Sequence, residues 1–449
     1  MGDSTHSEHE QHSQSQEDYA SLQEKHSPPQ GQDASPLEQE QRTQSEQSNE
    51  YQTNLAAVPQ DIALDAERQT AEGWRFDAGP GMPVEGYLPL TPDTVYTSEL
   101  GYGFLPGSEV YARDRTAYRE EEGTPTCKPT QHLQAAFCIP LQATFVLDVP
   151  DGCYLIRIQL GDWQAATHTI LRAAGSKMMV PPIRTLSGHM QEVLFSVPVH
   201  GGRLELNMSG QAPRLNTLNI TPAPHTLQLL LAGDSTVTDQ PADGYPYAGW
   251  GQLLPERFKH DVCVDNHAIS GRSSKSFADE GRLETIREQL RAGDYLWIAF
   301  GHNDAKTDAA RHTDPFTTYK QQLTEYILTA REKEAHPVLL TPIQRRYFTE
   351  DGQLEDTHGD YVTAVRELAV EQQVPLIDLA AKTATLLQQL GPEQSKELFV
   401  WLYPGEYMNF PNGVQDNTHL QEQGARQIAG LVIESIRELH LQPLVMYMR

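Results

Sequence analysis

The sequence predicts an α/β fold for its carboxyl-terminal half, with a central parallel sheet between helices, preceded by a β-sandwich of the jelly-roll type. Short strand-like runs separated by Gly and Pro turns fill residues 142–220, a pattern typical of such a sandwich. After the stiff linker Thr221–His225, strands alternate with helices, which is typical of a parallel sheet covered on both faces. Residues 1–70 follow neither pattern and are rich in Gln, Ser and Glu.

The first 70 residues contain few aromatic or β-branched side chains. Such a segment buries too little apolar surface to offset the entropy that ordering would cost. We therefore expect an acidic, disordered tail at residues 1–70. The predicted organisation is this tail, a β-sandwich accessory domain at 71–222 and an α/β catalytic domain at 226–449.

The formal net charge of the chain is −27, which argues against nucleic acid or an anionic membrane surface as a partner. No run approaches the roughly 20 apolar residues of a membrane span, and the first residues do not resemble a secretory signal. We therefore expect a cytoplasmic protein with four reduced cysteines. No Cys or His residues have the spacing of a zinc site, so we predict neither a metal nor a cofactor. The sequence does not indicate an oligomeric state.

Six runs in the sandwich region have the length and composition of β-strands. Apolar and polar side chains alternate most clearly in the run that begins at Arg203. Turn-forming stretches such as His200–Gly202 separate the runs. The predicted strands are Thr144–Val149, Cys153–Leu160, Thr167–Arg172, Val193–Val199, Arg203–Met208 and Leu215–Ile220.

The carboxyl-terminal half alternates strand-length apolar runs with helical spacing. The predicted strands are Leu227–Ala232, Val262–His267, Tyr295–Phe300, Val338–Thr341 and Leu376–Leu379. The predicted helices are Trp250–Phe258, Leu283–Arg291, Phe316–Lys333, Tyr361–Gln373 and Glu422–Leu439.

Small polar residues follow the first three of these strands and precede the last helix. The four blocks are Gly233–Thr236, Ala268–Ser274, Gly301–Asp304 and Asp416–Leu420. Ligands bind at the carboxyl ends of strands in open α/β sheets. We therefore expect the four blocks to meet at that edge.

Together the blocks contain the groups that a serine nucleophile needs. Asp416 and His419 are three residues apart, so within one turn the carboxylate can orient the imidazole. The imidazole would then take the proton of Ser235. The backbone N–H groups of Ser235 and Gly271 and the side-chain amide of Asn303 are candidate donors to the oxyanion.

These residues give the chain a resemblance to the SGNH (GDSL-like) hydrolases. The matching text is Gly233-Asp234-Ser235-Thr236, Gly271, Gly301-His302-Asn303-Asp304 and Asp416-x-x-His419. Further stretches, 233–240, 250–252, 270–273 and 416–419, are similar to the rhamnogalacturonan acetylesterases. The resemblance implies a flavodoxin-like, five-stranded parallel sheet and deacetylation of pectic rhamnogalacturonan. Residues 76–81 and 102–104 are similar to the β-sandwich, of galactose-binding type, that precedes the catalytic domain in bacterial members.

Other residues near the blocks have two interpretations each. Arg272 could pair with a uronate carboxylate, or with a nearby acidic residue such as Asp279 or Glu280. His302 could touch substrate or fill a turn. Trp250 could stack on a sugar ring or pack in the core. Asp234 and Asp304 are interpreted as turn formers rather than as chemical participants.

The sequence thus predicts a serine esterase that removes O-acetyl groups from acetylated pectic oligosaccharides by a Ser-His-Asp mechanism. One alternative keeps this machinery but acts on another acylated carbohydrate, such as xylan fragments. A second alternative is a non-catalytic carbohydrate-binding protein. A cytoplasmic location would make the substrate an imported oligosaccharide. The sandwich could bind sugar or brace the catalytic domain, and the lack of a recognisable aromatic platform favours bracing.

Overall fold

The structure is a computed structural model that describes residues 73–116 and 129–449. These residues form one compact unit. The tail predicted at residues 1–70 lies outside the described residues, as does Cys127. The other cysteines, Cys138, Cys153 and Cys263, are buried free thiols. Within the described ranges, every helix is too short or too polar to cross a membrane.

Residues 74–116 and 129–222 form two facing β-sheets, as the strand-length runs predict. In chain order the strands are β1 (Trp74–Ala78), β2 (Leu88–Leu90), β3 (Tyr102–Phe104), β4 (Glu109–Asp114), β5 (Ala136–Asp148), β6 (Gly152–Asp162), β7 (Thr167–Ala173), β8 (Lys177–Met178), β9 (Ile183–Thr185), β10 (His189–Val199), β11 (Arg203–Ala212) and β12 (Thr217–Pro222). One sheet has the order β10-β6-β12-β1-β2 and the other β3-β5-β11-β7-β8, with β4 on β5 and β9 on β7. Helix α1 (Pro129–Ala135) precedes β5.

The sandwich is held together by the alternating side chains of its strands. Along β7 and β11 buried and partly buried residues alternate, because successive side chains of a strand point to opposite faces. The inward residues of both sheets form one apolar core, which includes Phe76, Phe145 and Ile158. The alternation that predicted Arg203–Met208 as a strand is therefore the pattern of this core.

Residues 223–449 form an α/β domain around a parallel sheet. Its strands are β13 (Leu227–Gly233), β14 (Val262–Asn266), β15 (Tyr295–Ala299), β16 (His336–Leu340) and β17 (Leu376–Ile377). They pair in parallel in the order β14-β13-β15-β16-β17, which is the flavodoxin-like order. The fold class predicted from the sequence is confirmed.

Helices cover both faces of this sheet. They are α2 (Ser274–Asp279), α3 (Arg282–Gln289), α4 (Lys320–Glu332), α5 (Asp360–Glu371), α6 (Leu379–Gln394) and α7 (Glu422–Glu438). Along β13, Leu229 and Leu231 join the core on one face, while Leu230 and Ala232 join the core on the other. A strand buried on both faces has no polar side to display, and this explains its continuous apolar sequence.

Several local predictions were wrong. The predicted helix Trp250–Phe258 is two short 3₁₀ helices, Trp250–Leu253 and Pro255–Arg257. Pro255 has no N–H to donate within a longer helix. Helix α4 is preceded by a π-helical turn, Pro315–Tyr319. Helix α6 and the hairpin of β18 (Phe399–Leu402) and β19 (Val414–Leu420) were not predicted.

Two glycines of α7 allow a test of how tightly this helix packs. A Cβ at Gly424 would lie 2.0 Å from the carbonyl oxygen of Leu398, whereas a Cβ at Gly430 would meet nothing within 4 Å. We expect Gly424→Ala to lower the free energy of unfolding by about 1–3 kcal/mol because backbone must move. Gly430→Ala should instead raise it by about 0.5–1 kcal/mol, since alanine favours helix.

Urea unfolding of both variants beside the unmodified protein measures this difference. Equal effects of the two substitutions would contradict the close packing of α7 on the segment that ends at Leu398.

Candidate active site

The structure brings Ser235, His419 and Asp416 together at the carboxyl edge of the parallel sheet. The Ser235 Oγ lies 2.8 Å from His419 Nε2, and His419 Nδ1 lies 2.8 Å from Asp416 Oδ2. Ser235 lies two residues after the end of β13, and it is 184 residues away from His419 in the sequence. The arrangement has a hydroxyl, an imidazole and a carboxylate in line, which is the geometry of an activated serine.

A bulge in β19 brings the side chains of Asp416 and His419 into contact. Gln415 of β19 pairs with Trp401 of β18, and Leu420 of β19 pairs with Phe399 of β18. Between these two pairs, β19 therefore contains more residues than β18. The surplus residues bulge out of the hairpin. The Asp416 Oδ1 accepts hydrogen bonds from the backbone N–H groups of Thr418 (2.7 Å) and His419 (3.0 Å), so the carboxylate shapes the bulge that carries its own partner.

The surroundings of Asp416 keep it ionised. Burial acts to raise its pKa, but the hydrogen bond and charge of His419 and the two backbone N–H groups outweigh burial and lower it. The Tyr247 hydroxyl donates to Asp416 Oδ2 at 3.3 Å, and its ring packs on the His419 ring with centroids 5.7 Å apart. Burial and the nearby carboxylate raise the pKa of Tyr247, so this hydroxyl stays a donor. No motif in the sequence pointed to Tyr247.

Two backbone N–H groups beside the serine are available to an oxyanion. Within residues 73–116 and 129–449, the amides of Ser235 and Gly271 donate to no protein acceptor. Gly271 has φ +79°, a left-handed conformation that side chains disfavour. The Asn303 side chain is buried and donates one hydrogen from Nδ2 to the Arg272 carbonyl at 3.1 Å. That bond holds the Asn303 amide, which belongs to the block Gly301–Asp304, against the block Ala268–Ser274.

Asp234 and Asp304 are both buried and both hold loops. The Asp234 Oδ1 accepts from the backbone N–H and the hydroxyl of Thr236 at 2.9 and 2.8 Å. Burial raises the pKa of Asp234, although these bonds oppose it. The Asp304 carboxylate accepts from the backbone N–H and hydroxyl of Ser274 and from the hydroxyl of Thr313. These contacts tie the loop after β14 to the loop after β15.

The three candidate substrate contacts have other neighbours. Arg272 Nε donates to both carboxylate oxygens of Glu280 at 3.0 and 3.1 Å, the salt bridge that its alternative interpretation named. Trp250 is 1% exposed and belongs to the apolar core, so its ring cannot stack on a sugar and that interpretation was wrong. His302 is buried, with its ring 4.7 Å from that of His358.

A chain of hydrogen bonds runs from the sandwich to the backbone of Ser235. The Gln252 Nε2 donates to the carbonyl of Ser176, which lies between β7 and β8, at 3.2 Å. The Gln252 Oε1 accepts from the Gln240 N–H at 3.0 Å, and Gln240 Nε2 donates to the Ser235 carbonyl at 2.9 Å. The sandwich is thereby connected to the turn that carries the serine.

A cleft of about 820 Å³ lies between the sandwich and the α/β domain. Sandwich residues such as Asn207 and Ser209 line one side, and Tyr245 and Glu422 line the other. Tyr247 lines it as well, so the cleft adjoins the Asp416–His419 pair. Its volume is within the range of pockets that enclose small organic ligands, about 300–1,000 Å³.

Comparison with known proteins gives two family matches. Residues 231–427 match the GDSL-like lipase/acylhydrolase family. Residues 74–220 match the beta-agarase/YXIM esterase-like, galactose-binding domain-like family. The two matched stretches fall on the α/β domain and on the sandwich, respectively.

The chain is also similar to individual proteins. The chain is 52% identical to the rhamnogalacturonan acetylesterase RhgT of Bacillus subtilis (strain 168) over 215 residues, which are 48% of this chain and 91% of that protein. It is 28% identical to the uncharacterized esterase YxiM of the same organism over 81% of this chain and 90% of that protein. The crystal structure of YxiM has 25% identity and a TM-score of 0.45, covering 82% of this chain and 99% of the other.

The ionisation of Asp304 predicts a pH dependence of stability. Burial raises its pKa from 3.8 to about 7, against the opposing effect of its hydrogen bonds. The folded state therefore binds this proton more tightly than the unfolded state does. The stabilisation that the proton provides is lost as the pH rises from about 4 to about 7, by at most about 1.4 kcal/mol per pH unit.

The Asp304→Asn variant has no carboxyl group to ionise at this position. As the pH rises from about 4 to about 7, its free energy of unfolding should therefore increase relative to that of the unmodified protein. Urea unfolding at pH 4, 5.5 and 7 measures the difference, with the exposed Asp351→Asn as the control for a lost carboxylate. Parallel pH curves for Asp304→Asn and the unmodified protein would contradict the raised pKa.

Proposed function

The chain belongs to the GDSL-like lipase/acylhydrolase family and is a carboxylic ester hydrolase, and we propose that it removes O-acetyl groups from acetylated rhamnogalacturonan-type oligosaccharides. The observation that carries the proposal is the line of Ser235, His419 and Asp416, with two contacts of 2.8 Å. The choice of an acetylated pectic sugar is supported by the relative of 52% identity, which is named for that activity.

In the proposed mechanism Ser235 is the nucleophile. The His419 Nε2 accepts the Ser235 proton as the Oγ attacks the acetyl carbonyl, and Asp416 stabilises the imidazolium through Nδ1–H. When the tetrahedral intermediate collapses, the bond from the acetyl carbon to the sugar oxygen breaks, and the imidazolium gives its proton to that oxygen, which leaves as a hydroxyl. Water then attacks the acetyl-enzyme, with His419 as base again, and acetate leaves with Ser235 restored.

The negative oxygen of each tetrahedral intermediate needs hydrogen-bond donors. We assign this role to the backbone N–H groups of Ser235 and Gly271 and to the amide of Asn303. Donors that are already oriented in a water-poor site stabilise the transition state without reorganising. The hydrogen bond from Asn303 to the Arg272 carbonyl orients the amide in this way.

The cleft beside Tyr247 supports an oligosaccharide rather than a small ester as the substrate. It extends from Tyr247, which contacts both Asp416 and His419, to polar residues of the sandwich, Asn207 and Ser209. Tyr245 offers it an aromatic ring that is 46% exposed, and such a ring can pack on a sugar. We propose the division predicted from the sequence, with an accessory domain at 71–222 and a catalytic domain at 226–449. The expected cytoplasmic location stays a prediction, which cell fractionation tests.

A panel of substrates tests the proposed reaction. Acetate release should be fastest from acetylated rhamnogalacturonan oligosaccharides and slower, by tenfold or more in kcat/KM, from acetylated xylan oligosaccharides. A tenfold preference corresponds to about 1.4 kcal/mol of transition-state binding. Preference for xylan would favour the alternative substrate. Failure of a fluorophosphonate probe to label the protein at Ser235, with Ser235→Ala as the control, would favour a binding protein instead.

Removing the Asn303 amide tests the oxyanion assignment. We expect Asn303→Ala to lower kcat for an acetyl ester by about 10²–10³-fold, the usual cost of one lost oxyanion donor. Asn219→Ala, which removes an amide from β12 of the sandwich, should keep kcat within about twofold. Circular dichroism of both variants shows whether the fold is retained, and a near-normal kcat for Asn303→Ala would remove Asn303 from the oxyanion site.

A further inference from the structure

Three metal-ligating side chains meet where the sandwich packs on the edge strand of the parallel sheet. They are His200 in the turn between β10 and β11, Asp265 in β14 and His267 directly after β14. Their ligand atoms all lie within 4.8 Å of one another. The His200 Nε2 is 2.9 and 3.0 Å from the two Asp265 oxygens, and His267 Nε2 is 3.2 Å from Asp265 Oδ2.

The backbone presents these groups from two separate elements. His200 begins a tight turn in which Gly201 and Gly202 have φ values of +73° and +76°. The Asp151 side chain fixes the turn by accepting from the Gly202 N–H at 2.7 Å. Asp265 and His267 are two residues apart on an extended segment, so both side chains lie on the same side of it.

One ring nitrogen in this group lacks a proper partner. The His267 Nε2 is buried and makes no hydrogen bond of good geometry within the described residues, although Asp265 Oδ2 is near. A buried polar atom without a partner costs free energy. A cation coordinated by this nitrogen would satisfy it.

We propose that His200, Asp265 and His267 bind a zinc ion that joins the sandwich to the α/β domain. Two imidazole nitrogens and one carboxylate oxygen suit zinc, with bonds of about 2.0–2.2 Å. A tetrahedral ion with such bonds needs donor atoms about 3.4 Å apart. Small rotations of the three side chains would bring their donor atoms to that separation. The side chain of His200 is 48% exposed, which gives the ion access from solvent and leaves room for a water as fourth ligand.

The charge around the site is compatible with a cation. Asp265 carries the negative charge, and Lys177 also acts on it electrostatically. The Lys177 ammonium is paired with Asp239 at 3.1 Å, which offsets its repulsion of a metal ion. The group lies outside the proposed reaction path, so the ion would have a structural role.

The proposed zinc site is connected to the loop that follows Ser235. Asn266 lies between Asp265 and His267, and its Nδ2 donates to the Val237 carbonyl and to Asp239 Oδ1 at 2.9 and 2.8 Å. Both acceptors belong to the loop that follows Ser235. An ion at this point would therefore hold the sandwich, β14 and the serine loop in one arrangement.

Zinc titration of the full, EDTA-treated chain against a chromogenic chelator tests the proposal. We expect one tight equivalent that His200→Ala weakens tenfold or more, since even residues that only orient a metal ligand contribute about 10–100-fold. His189→Ala, which removes an exposed histidine from the other end of β10, is the matched control and should bind zinc like the unmodified protein. Comparing variants also separates this site from zinc bound by histidines elsewhere in the chain.

Thermal unfolding provides the second measurement. Zinc should raise Tm above its value in EDTA by about 2 °C or more in the unmodified protein and in His189→Ala. In His200→Ala the rise should disappear. Because each protein is compared with itself, a change in its intrinsic stability does not affect the result. Equal zinc affinity in His200→Ala and the unmodified protein, or no tight equivalent in either, would overturn the proposal and leave the three side chains as a hydrogen-bonded group.

Discussion

The structure of the site depends on one contact, the 2.8 Å hydrogen bond between Ser235 and His419. It joins the turn after β13, an interior strand of the parallel sheet, to the hairpin of β18 and β19. In the proposed mechanism the serine proton passes along this contact, and a misplacement of about 1 Å can cost about 10²-fold in rate. The sheet holds Ser235 because β13 is hydrogen-bonded on both sides. The bulge in β19 holds His419, and the carboxylate that shapes the bulge also orients the imidazole.

The parts of this arrangement that the sequence predicts are those with a local cause. A strand buried on both faces needs a continuous apolar run, so β13 and β15 were recognisable from composition. Each of the first three blocks follows a strand end, and parallel strands share one carboxyl edge, so the meeting of Ser235, Gly271 and Asn303 was predictable from the order of strands and blocks. The resemblance to the SGNH hydrolases then supplied the topology of the sheet, which periodicity by itself leaves open.

The features that the sequence did not predict depend on contacts between residues that are far apart in the chain. Asp416 and His419 were expected to meet within one turn, but they meet in a bulge whose size depends on how β18 pairs. Tyr247 reaches Asp416 across 169 residues and belongs to no motif. Trp250 packs in the core, which is one of the two positions that the sequence analysis named for it. His200 and Asp265 are 65 residues apart and belong to different layers of the fold, so no ligand spacing reveals them.

The role of the sandwich follows from the polar character of its contact with the α/β domain. Lys177 is buried there and paired with Asp239, and Gln252 connects the Ser176 carbonyl to the loop that begins at Ser235. Burying an ion pair costs desolvation free energy, which is recovered only when the geometry of the pair is good. An accessory module that was only tethered to the α/β domain would not need such a pair in its interface. Separating the two layers would leave Asp239 and the backbone of the serine loop without these partners. These contacts connect the sandwich to the loop that begins at Ser235, which favours the bracing role predicted from the sequence.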